Sequence, residues 1–202
     1  MKMPSIDRLI SIVEKQGVVR SRDFSRFGIH RQALKRAVHR GLLVRIDRGL
    51  YACKDFSGDY KGRLIAACKR VPHGVVCLES ALRLHRVLPR DPEPICMAID
   101  RKARKLVING LQLRFVRFSG QARTQGVVNM RIDGEPIRVY SVAKTVADCL
   151  TYRRKVGMSL AVEALREGIL QGKCSLERLQ HFAKIRGVEK LLRDVYSSTF
   201  NM

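Results

Sequence analysis

Between residues 5 and 52 the spacing of apolar positions changes twice. Ile6, Leu9, Ile10 and Val13 recur at three- and four-residue intervals, which predicts an amphipathic helix over Pro4 to Lys15. A second, short helix is expected after Ser21, a suitable N-cap, with Asp23 in the first turn where the helix dipole favours an acid. Phe27-Gly28-Ile29 then breaks the pattern, and Gly28 supplies the backbone freedom that a tight turn between two helices requires. Ala33, Leu34, Ala37 and Val38 share one stripe, predicting a third helix from about His30 to Arg40 that ends at Gly41. Beyond Gly41 the pattern becomes that of strands: Leu42 to Ile46 and Gly49 to Ala52 flank Asp47-Arg48-Gly49, a hairpin signal. Helix, helix, turn, helix and hairpin is the order of a winged helix-turn-helix, which sets its last helix into the major groove of duplex DNA.

The polar side of the third helix strengthens that reading. Arg31, Gln32, Lys35, Arg36, His39 and Arg40 cover it without a single acid. Arg and Gln pair with guanine and adenine edges, while Lys and Arg also neutralise phosphates. Gln32 is the best base-reading candidate, because a neutral amide adds little to an electrostatic grip. Replacing Gln32 or Arg31 by Ala is expected to relax specificity. Arg45 and Arg48, on the hairpin, are placed to meet phosphate or minor groove.

Past residue 54 the pattern changes again. Lys54 to Asp59 is short, polar and rich in turn formers, and marks a boundary between a DNA-binding domain at 1–54 and a second domain at 60–202. Helices are expected over Tyr60 to Arg70 and Leu78 to Arg86, with Val75-Val76 extended between them. Three prolines at 89, 92 and 94 forbid a helix there. Strands are expected at Ile95 to Ile99, Leu106 to Ile108, Leu111 to Phe118, Val127 to Ile132 and Ile137 to Tyr140, with hairpin turns at Asn109-Gly110 and Asp133-Gly134. Four helices follow, at 141–152, 158–169, 175–185 and 188–196, with Ser141 and Ser175 as caps and Gly157, Gly172 and Gly187 as stops. The predicted fold class is α+β: a winged helix-turn-helix, then a mixed α/β domain with a mainly antiparallel sheet and a C-terminal helical region.

Charge and composition point the same way. The 202 residues carry a formal net charge of +22, so a polyanion is the expected partner. Residues 1–52 hold 12 Lys and Arg against 4 Asp and Glu, the highest charge density in the chain. A hydrophobic content of 46% argues for folded domains over a disordered basic tail. The six cysteines show no zinc-ligand spacing, and several lie in apolar runs, as buried thiols of a reducing cytoplasm would. Neither a signal peptide nor an apolar run of membrane-spanning length is recognised, and no cofactor or metal is expected.

Catalytic patterns are sparse. Asp100-Arg101-Lys102, with Asp91 upstream, matches the acid-x-Lys half of a magnesium-dependent nuclease motif. The alternative function is therefore a metal-dependent nucleic-acid-processing enzyme with a winged-helix delivery module. There is no phosphate-cradling glycine loop and no nucleophile elbow. Two basic clusters, Arg101-Lys102-Arg104-Lys105 and Arg153-Arg154-Lys155, stand at an expected hairpin entry and an expected helix end.

The stretch GIHRQALKRAVHRGLLVRIDRGLY at 28–51 resembles the winged helix-turn-helix of AbiEi-type antitoxins, the regulators of type IV toxin-antitoxin and abortive-infection (phage defence) systems. The resemblance continues through LESALRLHRVLP at 78–89, PICMAID at 94–100, IDGEPIRVYSVAKTVADCLTYRRKVG at 132–157 and EAL at 163–165. The resemblance implies a non-enzymatic two-part protein. The first part represses its own operon through promoter repeats, and the second counteracts a separately encoded nucleotidyltransferase-like toxin without needing a stable complex. Lys144, Thr145, Asp148, Arg153 and Arg154 fall in the family-like block and are candidates for an antitoxin or partner surface, RNA included. An intramolecular polar network, with Asp148 paired to Lys144 one turn away, is the competing account. A plain repressor without a toxin partner also fits the same pattern.

Overall fold

The predicted helices and hairpin of the N-terminal part form, with one strand added. In the computed structural model, which describes residues 5–54, 59–103 and 111–200, α1 (Ser5–Gln16) leads into β1 (Val18–Arg20) and a 3-10 turn (Asp23–Phe27). α2 (Arg31–His39) and the hairpin of β2 (Leu43–Asp47) and β3 (Leu50–Cys53) follow. Three residues are too few to show a period, so β1 leaves no mark in the apolar pattern. It pairs antiparallel with β3, Arg20 opposite Leu50, giving a sheet of order β1-β3-β2. Leu9, Val13, Phe24, Leu34, Ala37 and Leu43 form the core beneath it. Ser21 does not cap the short helix, whose N-cap is Arg22. Instead its backbone N–H donates to the Gly49 carbonyl at 2.8 Å and ties β1 to the hairpin turn.

α3 (Tyr60–Arg70) starts at Asp59, whose carboxylate accepts from the Gly62 N–H at 2.8 Å. It packs on β1, and the Lys69 ammonium donates to the Val18 carbonyl. These contacts place α3 in the first of two compact units, which runs to Pro72 and includes Arg131–Ile137. The boundary expected at Lys54 to Asp59 therefore moves to Pro72–His73. A polar stretch marks a break in regular structure, but tertiary contact decides which unit a helix joins.

The second unit holds β4 (Val75–Val76), α4 (Leu78–Leu84), β5 (Ile95–Asp100), β6 (Leu113–Phe118), α5 (Gly120–Thr124), the first four residues of β7 (Val127–Ile132) and the last three of β8 (Glu135–Tyr140). Five helices complete it: α6 (Val142–Thr151), α7 (Arg153–Val156), α8 (Met158–Leu170), α9 (Leu176–Arg186) and α10 (Glu189–Phe200). The sheet order is β6-β5-β4-β8-β7. It is mixed rather than mainly antiparallel: β5 runs parallel to β6 over six residues and β4 parallel to β8, while β4 and β5 are antiparallel. Asp133 (φ 49°) and Gly134 (φ 81°) make the tight turn between β7 and β8, as the primed hairpin turns demand. The Leu106–Ile108 strand and the Asn109-Gly110 turn fall outside the described residues.

Every residue of α6 from Val142 to Leu150 is buried, because α4, α8 and α9 all pack on it. Ser141 caps it, accepting from the Lys144 N–H, and Ser175 caps α9 in the same way.

Candidate nucleic-acid interface

The sequence builds the first unit's cationic face in three local steps. Gly28 adopts φ 67° and ψ 24°, the left-handed conformation, and lets the chain turn from the 3-10 segment into α2. α2 buries Ala33, Leu34 and Ala37 and exposes Arg31, Gln32, Lys35, Arg36, His39 and Arg40. The register shift between Arg45 and Asp47 then twists β2 as it enters the hairpin, and Arg45 and Arg48 stand exposed on it.

α2 and the hairpin enclose a groove of about 870 Å³. Arg31, Lys35 and His39 line it from the helix; Arg45 and Arg48 line it from the hairpin, and Arg70 joins them from α3. Among the described residues, no acid lines this groove. The predicted set thus divides by helical geometry. Arg31, Lys35 and His39 repeat every four residues on the groove side, while Gln32, Arg36 and Arg40 form a second exposed stripe outside it.

Residues 7–53 match a family model described as transcriptional regulator, AbiEi antitoxin. This stretch is similar to that family. It contains α2, the hairpin and every groove residue except Arg70. Over 91% of this chain and 72% of the other, the fold is shared with the RV2827C protein from Mycobacterium tuberculosis, at 18% identity and a TM-score of 0.61. No curated protein matches the sequence significantly.

Next to this groove, sequence reasoning missed Arg20, Arg22, Lys69 and Arg70. Roughly fifty residues separate the first pair from the second along the chain, and no local pattern links them. Only the packing of α3 on β1 brings them to the hairpin turn.

The second unit resolves the block read as a partner surface. Lys144, Thr145 and Asp148 are wholly buried, so they form no surface. Lys144 Nζ donates to Asp148 Oδ2 at 2.5 Å, and Arg186 Nε pairs with Asp148 Oδ1 at 2.8 Å. The Lys144 ammonium lies 4.5 Å from the Phe118 ring centre and 4.4 Å from that of Tyr140; the Arg186 guanidinium lies 4.7 Å from Phe118. The rings' negative faces thus take up the cationic excess of two bases on one acid. Burial works against both charges, raising the Asp148 carboxyl and lowering the Lys144 ammonium, and their mutual attraction opposes it. The intramolecular network is therefore the account that fits. Arg153 Nη1 donates to the Leu150 carbonyl at 3.1 Å and closes α6, while Arg154 is exposed.

The acids of the nuclease-like pattern are spoken for. Asp91 pairs with Arg83 at 2.5 Å and Asp100 with Arg123 at 3.4 Å. Arg104 and Lys105 lie outside the described residues. Among the described residues, no three His, Cys, Asp or Glu side chains come together as a metal site. Cys77, Cys96 and Cys149 are buried, and burial raises all three thiols far above their ordinary range. No helix among the described residues is long and apolar enough to cross a membrane.

Proposed function

We propose that this chain is a sequence-specific DNA-binding repressor whose N-terminal unit docks as a winged helix-turn-helix, and that it is the antitoxin of a type IV pair. The cationic groove between α2 and the hairpin carries this reading. When a helix occupies the major groove and its hairpin reaches the adjacent minor groove, one sugar-phosphate strand must pass between them. Arg31, Lys35, Arg45 and Arg48 line that passage and neutralise its phosphates. Gln32 and Arg36, on the outer stripe of α2, are left to meet base edges, where Gln pairs with adenine and Arg with guanine.

The AbiEi match over residues 7–53 supports a DNA-binding regulator. Repression of its own promoter through repeats, and action against a nucleotidyltransferase-like toxin without a stable complex, extend that match in the direction of the family. The expected compartment is the cytoplasm, and the expected role is non-enzymatic.

The test is a salt-titrated mobility shift on the DNA upstream of the coding sequence, with scrambled DNA of equal length as competitor. Preferential binding that survives physiological salt is the expected result. Equal binding to both, collapsing as salt rises, would reduce the module to a non-specific grip. Co-expression with the neighbouring gene's product, scored by growth, tests the antitoxin half. Incubation of wild type and Asp100→Ala with supercoiled DNA and magnesium tests the enzymatic alternative, and no Asp100-dependent cleavage is expected.

A further inference from the structure

A second cationic pocket, of about 290 Å³, lies beside the hairpin turn of the first unit. Arg20 and Arg22 line it from the end of β1, Lys69 and Arg70 from the end of α3, and Arg48 from the turn itself. Among the described residues, no acid lines it. Two of its side chains, Arg48 and Arg70, also line the groove between α2 and the hairpin, so the two cationic surfaces are continuous.

Folding concentrates these charges at a cost. Burial and the neighbouring Arg22 push the Arg20 guanidinium below its usual value; Asp23 and Glu135 act the other way, and Arg70 adds a smaller push downward. Glu135 holds Lys69 at 2.8 Å, and Asp23 stands 3.9 Å from an Arg22 side chain that is 69% exposed. Arg70 has its own contacts, yet still lines the pocket. Five bases line this small pocket, with Glu135 paired to Lys69 and Asp23 beside Arg22, and such a cationic surface suits an anion. Guanidinium groups favour phosphate, which they can grip through two parallel hydrogen bonds.

We propose that the Arg20, Arg22, Lys69 and Arg70 pocket is a second phosphate-binding site, which takes up the DNA backbone beyond the hairpin and so extends the footprint of the N-terminal unit past α2 and the wing. The inference rests on the docking of α2 and the hairpin argued above. It assigns phosphate contacts to α3, an element outside the family-matched stretch 7–53.

The experiment compares the full chain with Arg20→Gln/Arg22→Gln, and with Arg22→Gln alone, by fluorescence anisotropy on one long duplex across a salt series. Lys69 is left intact because it also holds β1 through the Val18 carbonyl. Each lost phosphate contact lowers the slope of log affinity against log salt by about 0.9. The expected result is a slope reduced by about 2 in the double variant and about 1 in the single. The preference for specific over scrambled DNA should not change, and the thermal melt should match wild type. Slopes equal to wild type, with Lys35→Ala still weakening binding, overturn this site and leave the groove reading standing. A wild-type protein with no sequence preference overturns the sequence-specific reading instead, and the slope comparison is still read on its non-specific binding. Saturable binding of inorganic pyrophosphate that the double variant loses, with its DNA slope unchanged, assigns the pocket to a free phosphate anion and overturns the DNA occupant.

Discussion

Lys144 and Asp148 stand one helical turn apart on α6 and meet at 2.5 Å with both side chains wholly out of water. Such a pair is held in place by its surroundings. Arg186 forms an ion pair with the second carboxylate oxygen, and Phe118 and Tyr140 face the ammonium. Breaking a buried pair from one side is costly because it strands the other charge. Asp148→Asn leaves Lys144 and Arg186 without the carboxylate they share, and is expected to lose about 3–5 kcal/mol in urea denaturation. Lys144→Met leaves Asp148 paired with Arg186 and should cost clearly less. Equal losses in the two variants would show that Arg186 does not share the carboxylate.

His85 gives the second unit a pH dependence of definite sign. Its Nε2 lies 2.7 Å from the Tyr140 carbonyl, so the neutral ring donates there. Burial, the largest influence, lowers its pKa below the ordinary 6.5; that hydrogen bond acts the other way, and nearby Lys173 adds to the lowering. Above 6.5 the ring is neutral folded and unfolded, and contributes no pH dependence. As pH falls through 6.5 toward the lowered folded value, the unfolded chain takes up the proton first, so stability is lost in that window. Urea midpoints measured from about pH 8 to about pH 5 should fall more steeply for wild type than for His85→Gln. Parallel curves would remove His85 from the account.

Two glycines with similar backbone angles should respond differently to alanine. Gly28 has φ 67° and open space where a Cβ would go, so Gly28→Ala should cost only the left-handed strain of about 1–2 kcal/mol. Gly126 has φ 77°, and a Cβ there would lie 2.8 Å from Lys144 Cβ and 2.9 Å from Phe182 Cζ. Gly126→Ala therefore adds overpacking of about 1–3 kcal/mol to the strain. Thermal melts should rank Gly126→Ala well below Gly28→Ala.

On DNA, the division of α2 into two stripes separates two kinds of variant. Gln32→Ala should change base preference and cost about 1–3 kcal/mol on the preferred sequence only. Arg48→Ala should weaken all sequences alike and flatten the salt slope by about 1. Arg31 lines the groove, so Arg31→Ala should follow Arg48 rather than Gln32. Binding to a randomised duplex pool checks all three, and an Arg31→Ala pool with altered base preferences would move Arg31 to the base-reading stripe.

Most elements were legible before the fold was seen. The 3.6-residue period marked α1, α2 and α6, and Gly28, Gly41 and Asp133-Gly134 placed the turns where positive φ was needed. Short pieces escaped: β1, α5 and α7 have three to five residues and no period to read. Strand direction escaped as well. A Leu113–Phe118 strand reads the same beside a parallel or an antiparallel neighbour, and its parallel pairing with β5 shows only in the folded sheet.

The sequence by itself determined the local chemistry of this protein: an acid-free basic helix after a glycine turn, a basic hairpin, and a Lys and an Asp four residues apart. Spacing alone suffices there, because helical period and turn geometry act within a few residues. Tertiary structure decided what those groups face. Packing of α4, α8 and α9 on α6 turned Lys144 and Asp148 from a candidate surface into a buried pair. Packing of α3 on β1 carried Lys69 and Arg70 across roughly fifty residues of chain to the hairpin turn. Burial and long-range charge depend on which elements meet, and that is settled by the whole core rather than by any one stretch of it.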